Sequence, residues 1–421
     1  MLINKVRDND MNDISREITA NIEKMLEELK RFNSTPENGI TRLPFTKEAK
    51  AAAGYILDEM QKAGLNAFMD ESGAVVGRIE GESSKTIIIA SHYDTVRNGG
   101  AYDGIAGVIC GIQTAELLLK EKQHLKHSLE IIATNDEEGA RFKSGFFTAK
   151  ALLEGIDISE MKALKDSEGI TLYNAMKNWG LSPEALSKAK RDTGGILGFL
   201  EIHIEQGPVL ERYGKDIGIV DSIVGLKRAM VTITGQADHA GTTPMDMRQD
   251  AMEAAAIVIS RLGDIARKYP NAVATVGSMK AFPNEVNIIC RQVCFSLDIR
   301  AEKEEAIQKI YGEIEKVIHE VSKERNVSYS VEGTLDVKPA VMNAGLTKLA
   351  VESCRSKGYS YMHMNSGAGH DSLMAAPKVP AAMIFVPSRN GRSHCEEEYT
   401  DSRYLTIAVE VVKDIVVKMN T

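Results

Sequence analysis

Four apolar runs rich in β-branched residues each close on a turn rich in metal-binding side chains. This repetition limits what the chain can fold into more than any other feature. Residues 86–90 read TIIIA and are followed by Ser91-His92-Tyr93-Asp94. Residues 129–134 read LEIIAT and are followed by Asn135-Asp136-Glu137-Glu138-Gly139. Residues 199–204, FLEIHI, contain His203 and run into Glu205-Gln206-Gly207, and residues 382–386, AMIFV, lead through Pro387 to Ser393 and His394. Such near-continuous apolar runs mark strands buried on both faces of a parallel sheet. In open α/β sheets, ligands gather beyond the carboxyl ends of the strands. The four turns are therefore expected along one sheet edge, where they form one site.

Helical periodicity fills the intervals at 15–31, at 46–63 (ending at Gly64) and at 104–122, which opens among glycines. Strands alternating with helices give an α/β fold, with a mixed, mostly parallel sheet covered by helices. The middle of the chain has another rhythm. A strand at 229–234 is followed by an amphipathic helix at 247–268 and strand runs near 273–281 and 286–299. A Glu- and Lys-rich helix at 302–324 and a strand at 327–331 complete it. The order β-α-β-β-α-β is the ferredoxin-like split motif. A chain of 421 residues also exceeds the size at which one core stops growing. An α+β domain over 218–334 is expected as an insertion in a larger domain made of 1–217 and 335–421.

Composition excludes several classes of partner. The net charge is -8, with 26% charged residues and no basic runs, which argues against nucleic acid. No stretch approaches the roughly 18 apolar residues of a membrane span. The opening MLINKVRDNDMNDIS lacks the apolar core of a secretory signal. The 5 cysteines, Cys110, Cys290, Cys294, Cys354 and Cys395, are scattered and do not form a disulfide framework. Cys290 and Cys294 read as small core residues. A cytoplasmic location is expected.

The strand-end donors His92, Glu138, His203 and His394 are joined by Asp103, which sits in Tyr102-Asp103-Gly104 just before a helix. Imidazole and carboxylate donors without thiolate suit Zn²⁺, Mn²⁺ or Co²⁺. One aspartate in such a set can be shared by two ions. Two divalent ions overcompensate Asp103 and Glu138, leaving room for an ionised Glu137 that takes a proton from water, so adjacent glutamates divide coordination from general base work. His124 and His127, in EKQHLKH, and His319, in a charged helix, read as surface residues; His363 is left unassigned.

These motifs resemble the di-metal aminoacylase and carboxypeptidase superfamily. The likeness narrows with Thr41-Arg42-Leu43, Glu138-Gly139-Ala140-Arg141-Phe142 and His203-Ile204-Glu205-Gln206-Gly207-Pro208. Ser366-Gly367-Ala368-Gly369-His370-Asp371 and Pro387-Ser388 through Ser393-His394 complete it. Together they are similar to the branch of N-carbamoyl-L-amino-acid hydrolases, allantoate amidohydrolases and β-ureidopropionases.

The resemblance implies that His92 and His203 hold one ion, Glu138 and His394 the other, and Asp103 bridges them. Asp94 would stand behind His92 and fix its tautomer, and Glu137 would be the general base. The inserted domain would pair two copies into a homodimer, with His239 reaching the neighbouring subunit's site to polarise the substrate carbonyl. Asn287 and Arg300 would grip the substrate carboxylate, as an Arg fork does. Gln206 and His370 are further substrate contacts. Hinges are expected near 214–218 and 334–340.

The activity implied is hydrolysis of an N-carbamoyl-L-amino acid to the amino acid, CO₂ and ammonia. Allantoate amidohydrolysis is the alternative. A dipeptidase or aminopeptidase fits less well, because those relatives generally carry Asp where His203 stands. A non-catalytic metal- or ligand-binding protein would have no need of Glu137 beside Glu138. A serine hydrolase is excluded because Asn365-Ser366-Gly367-Ala368-Gly369 is not a G-x-S-x-G elbow.

Overall fold

The computed structural model describes residues 12–421; the reading of residues 1–11 as part of a leaderless start lies outside them. In chain order the strands are β1 (Asn66–Met69), β2 (Val75–Ile79), β3 (Ser83–His92), β4 (His127–Thr134), β5 (Ile196–Ile204), β6 (Ile217–Ile223) and β7 (Gly225–Thr234). There follow β8 (Val273–Thr275), β9 (Met279–Phe282), β10 (Gln292–Ala301), β11 (Ser328–Val337), β12 (Ala340–Val341), β13 (Tyr361–Ser366) and β14 (Ala381–Val386).

The larger sheet is nine-stranded, ordered β1-β2-β4-β3-β5-β14-β6-β12, with β13 paired to β6. Its central strands β4, β3, β5 and β14 are mutually parallel. These are the four apolar runs of the sequence. Ile87, Ile89, Ile131, Ile202 and Ile384 are buried along them, each side chain worth about 1.5–3 kcal/mol relative to exposure. Helices Ile105–Lys120 and Ser402–Met419 share that core. The register sets His92 opposite Thr134, and Phe385 opposite His203. The polar turns consequently emerge side by side at the carboxyl edge.

The chain divides into two units. The first runs to Asp221 and returns with Val341–Met364 and His370–Thr421; the second comprises Ser222–Ala340 and Asn365–Gly369. The boundaries expected near 218 and 334 fall inside β6 and β11, so the crossings lie a few residues later. The segment Asn365–Gly369, read from sequence as part of the larger domain, belongs to the second unit.

That unit is ferredoxin-like. Antiparallel strands in the order β11-β7-β10-β8, with β9 also on β10, form its sheet. Helices Ala251–Ala266 and Glu304–Glu324 join its core with Val231, Phe295, Leu297 and Ile310. Alternate residues of β10 are buried, the mark of a sheet covered on one face. The strand expected over 286–299 starts only at Gln292. Pro283 has no amide to offer a ladder, Asn284 takes a positive φ of 64°, and residues 283–291 leave the sheet as a loop. Asp250 caps the first helix by accepting from Met252 and Glu253 amides, which delays its start from 247 to Ala251. The 5 cysteines are unpaired, and Cys290 and Cys294 are half-buried. Among the described residues no helix is long and apolar enough to cross a membrane.

Candidate metal centre

His92, Asp103, Glu138, His203 and His394 meet at the carboxyl edge of the parallel strands in two clusters that share Asp103, beside a third of His92, Glu137 and Glu138. The first is His92, Asp103 and His203, all buried; the second is Asp103, Glu138 and His394. Asp103 Oδ1 stands 3.5 Å from His92 Nε2 and 3.0 Å from His203 Nε2. Its Oδ2 stands 3.0 Å from His394 Nε2, which is 3.3 Å from Glu138 Oε1. Ligand atoms about 2.1 Å from a tetrahedral ion lie about 3.4 Å apart, so both clusters have the spacing of a coordination shell. One aspartate offers an oxygen to each.

Internal chemistry supports a cation here. His92 Nδ1 lies 3.1 Å from the Asp94 carbonyl and His203 Nδ1 2.9 Å from the Ile204 carbonyl. Carbonyls only accept, so both Nδ1 atoms carry protons, and Nε2 is the ring nitrogen turned inward. Those Nε2 atoms face each other at 3.3 Å. The Gly104 amide serves His203 alone; a cation between the rings would serve both, and Asp103 with them. Asp103 Oδ1 and Glu138 Oε1 are buried with imidazole nitrogens as their near neighbours, and burying carboxylate charge is costly unless a cation meets it.

The electrostatics point the same way. Burial opposes charge on His92, but Glu137, Asp103 and Asp94 outweigh it and raise its pKa well above the imidazole range. Hydrogen bonds that the His394 ring donates to the Asp103 and Glu138 carboxylates push its pKa up to about 11. Burial works against the charge of Asp103, yet the surrounding imidazoles hold its pKa well below the carboxylate range.

Local structure explains how each donor is aimed. Gly104 has φ 65° and starts the helix behind Asp103; a Cβ there would lie 2.4 Å from the His92 ring. Only glycine lets that helix approach so closely. The Gly104 amide donates to His203 Nε2 at 3.2 Å. Asp136, at φ 59°, turns the chain at the end of β4 into Glu137 and Glu138. Glu137 is buried, with Oε2 3.8 Å from His92 Nε2. Burial, then Glu138, Asp371 and Asp94, raise its pKa well above the carboxylate range against the pull of His92. Such a group holds a proton readily.

Asp94 meets His92 through its backbone. The Asp94 carbonyl, not its carboxylate, fixes the His92 tautomer; Oδ1 is 3.7 Å from Nδ1. The carboxylate instead accepts from the Glu137 amide at 3.1 Å and the Glu138 amide at 3.3 Å. It shapes the turn carrying both glutamates. Below it, buried Arg42 donates through Nε to the Tyr93 carbonyl at 2.6 Å, which gives the Thr41-Arg42-Leu43 motif a structural role.

Gln206 reaches the second cluster. Its Nε2 donates to Asp103 Oδ2 at 2.8 Å and lies 3.3 Å from His394 Nε2. His370 is buried, with its ring 4.5 Å from that of His203 and 5.6 Å from that of Phe385. Burial and the neighbouring His203 lower its pKa well below the usual range, so the ring is a neutral support for His203. Glu398, which sequence reasoning passed over in an acidic run, accepts from the amides of Tyr102, Asp103 and His394.

His239, Asn287 and Arg300 lie in the second unit. His239 forms an isolated antiparallel bridge with Ile288, and the Ala240 amide donates to the Asn287 carbonyl at 3.0 Å. His239 and Asn287 are thus held side by side. Arg248 secures this loop through the carbonyls of Ala240 and Thr243. The exposed His239 ring accepts from the Gly241 amide at Nδ1, 3.1 Å, so the neutral ring carries its proton on Nε2. Arg300 donates to Asp298 from Nε, 2.9 Å, and to the Gly367 carbonyl from Nη1, 2.8 Å. That contact engages the Ser366-Gly367-Ala368-Gly369 turn.

Comparison with known proteins agrees with this chemistry. The model of the peptidase family M20/M25/M40 matches residues 88–418. The chain is similar to an N-carbamoyl-L-amino-acid amidohydrolase of Paenarthrobacter aurescens, 37% identical over 394 residues, covering 93% of this chain and 95% of that protein. It is also similar to an allantoate amidohydrolase of Bacillus subtilis (strain 168), 34% identical over 405 residues, covering 96% and 98%. In structure it resembles an amidase of the hydantoinase/carbamoylase family from Burkholderia multivorans. The TM-score is 0.86 at 27% identity, with 96% and 98% of the chains covered.

The turn-shaping role of Asp94 leads to a test. Asp94→Asn sets an amide NH₂ against backbone N–H donors, so apo-protein titrated with Zn²⁺ should bind about 10- to 100-fold more weakly, the usual effect of losing a ligand's supporting partner. Far-UV circular dichroism should be unchanged. Wild-type affinity in this variant would contradict the assignment.

Proposed function

The chain belongs to the peptidase family M20/M25/M40, and on that premise we propose that it is a metal-dependent amidohydrolase cleaving an N-carbamoyl-L-amino acid to the amino acid, CO₂ and ammonia. The observation that carries the metal chemistry is the facing pair His92 Nε2 and His203 Nε2, 3.3 Å apart beside Asp103. Relatives named for carbamoyl amino acids, 37% identical, carry the substrate class. Hydrolysis of allantoate is the second reading, favoured by the 34% identical relative of that name.

Two divalent ions per chain, Zn²⁺, Mn²⁺ or Co²⁺, would polarise the scissile carbonyl and lower the pKa of a water. His92 and His203 would hold one, Glu138 and His394 the other, with Asp103 shared. Glu137 takes the proton from the attacking water and returns it to the leaving nitrogen. Its place 3.8 Å from His92 Nε2, at the edge of the cluster, suits it to that exchange. Gln206, already reaching Asp103 and His394, orients the ureido group. Asn287 and Arg300 bind the substrate carboxylate, Arg300 by a charged fork. His370 supports the substrate pocket through His203.

The test is ammonia release by metal-reconstituted protein offered N-carbamoyl-L-amino acids, β-ureidopropionate, allantoate and dipeptides. The carbamoyl panel should turn over, and Glu137→Gln should keep its metal while losing roughly 10²- to 10⁴-fold in rate. Ammonia from allantoate alone selects the second reading, and cleavage of dipeptides alone contradicts both.

We further propose a homodimer paired through the second unit, in which His239 completes the partner's site by donating Nε2–H to the developing oxyanion. The His239 ring has that proton in place. Exposed apolar residues Met245 and Met247, both 69% exposed, and Val286 lie on the same unit, as an association surface requires. A lone donor of this kind contributes roughly 10²- to 10³-fold. His239→Ala and Glu137→Gln should each be nearly inactive. Refolded together they should regain roughly a quarter of wild-type activity, because about half the dimers are mixed and each has one intact site. Mixed dimers confirmed by mass but inactive would show that His239 does not act across the dimer.

A further inference from the structure

The run Glu396-Glu397-Glu398 reads as a solvated acidic stretch, but Glu398 is only 4% exposed. Its Oε1 accepts from the Tyr102 and Asp103 amides, each at 2.9 Å. Its Oε2 accepts from Ser393 Oγ at 2.8 Å and from the His394 amide at 3.2 Å. One carboxylate therefore ties together two loops far apart in sequence, one carrying Asp103 and the other His394. Gly100 permits it: a Cβ there would lie 2.0 Å from Glu398 Oε1. Ser393 Oγ also approaches Asp103 Oδ2, at 3.3 Å.

The two loops differ in how much else holds them. His92 and His203 stand on β3 and β5, inside the sheet ladder. His394 stands on a loop, its side chain 46% exposed, at a φ of 56°. Non-glycine residues keep such a conformation only where their surroundings impose it. The acceptor on the His394 amide is Glu398, and the acceptor on the Asp103 amide is the same carboxylate.

We propose that Glu398 is a positioning residue that fixes the distance between Asp103 and His394 and so builds the second ion site. The proposal rests on the two-ion reading above. It predicts a selective defect. The site of His92, His203 and Asp103 keeps its strand-borne ligands when Glu398 changes, whereas the site of Asp103, Glu138 and His394 loses its spacing.

The experiment is a Co²⁺ titration of full-length apo-protein followed by visible absorption, with thermal melting in parallel. Wild type should take up Co²⁺ in two steps. Glu398→Gln keeps the side chain's size but turns one acceptor oxygen into an NH₂ group. It should weaken one step by about 10- to 100-fold and leave the other within about 3-fold. Gly100→Ala, which displaces the carboxylate while leaving Glu398 in the chain, should give the same signature. Two wild-type steps in both variants, or equal loss of both steps as for a general folding defect, overturns the proposal. A wild-type chain that binds fewer than two Co²⁺ overturns the two-ion reading, and this proposal with it.

Discussion

The opposed ring nitrogens of His92 and His203 are the constraint on which the rest of this structure depends. Each imidazole is locked by an Nδ1–H donated to a backbone carbonyl, and each then turns its Nε2 toward the other at 3.3 Å. A cation between the rings would stabilise that arrangement, alongside the Gly104 amide that donates to His203 Nε2. The two rings reach this position because they end adjacent parallel strands, and the strands are anchored by isoleucines with almost no exposure.

Around that pair the chain spends backbone strain and buried charge in an organised way. Asp136, Gln206 and His394, all at positive φ, stand at the turns from which side chains reach the cluster, as strained residues do at functional sites. Asp94 and Glu398 are buried carboxylates whose oxygens face mainly backbone amides. Each holds a turn that bears side chains of the His and carboxylate cluster. The carboxylates of the cluster are thus supported by a second set of carboxylates whose main partners are backbone dipoles.

Much of this is legible in the sequence, and the reasons are physical. Strands buried on both faces must be continuously apolar, so β3, β4, β5 and β14 announce themselves, and the polar turns after them mark the edge where ligands gather. The ferredoxin-like order of the second unit shows in the periodicity of 229–331. What stays hidden is decided by tertiary contacts. Residues 286–291 have strand-like composition, but Pro283 and Asn284 turn the chain out of the sheet to pair with the His239 segment. Asn365–Gly369 joins the second unit through contacts such as the Ser366 carbonyl accepting from Val224, and no local signal predicts them. Asp94 was readable as a partner of His92, but whether its carbonyl or its carboxylate does the holding depends on the angle of the turn. Glu398 sits in a triple glutamate, where composition says solvent and only the fold says otherwise.

The most direct test of the account is anomalous diffraction at the zinc edge from crystals of Zn²⁺-loaded protein. The account predicts two peaks per chain about 3.5–4 Å apart, the separation usual for paired catalytic ions. One should lie against His92 and His203 and the other against Glu138 and His394, with an oxygen of Asp103 directed at each. A single peak, or peaks away from the opposed imidazoles, would contradict it.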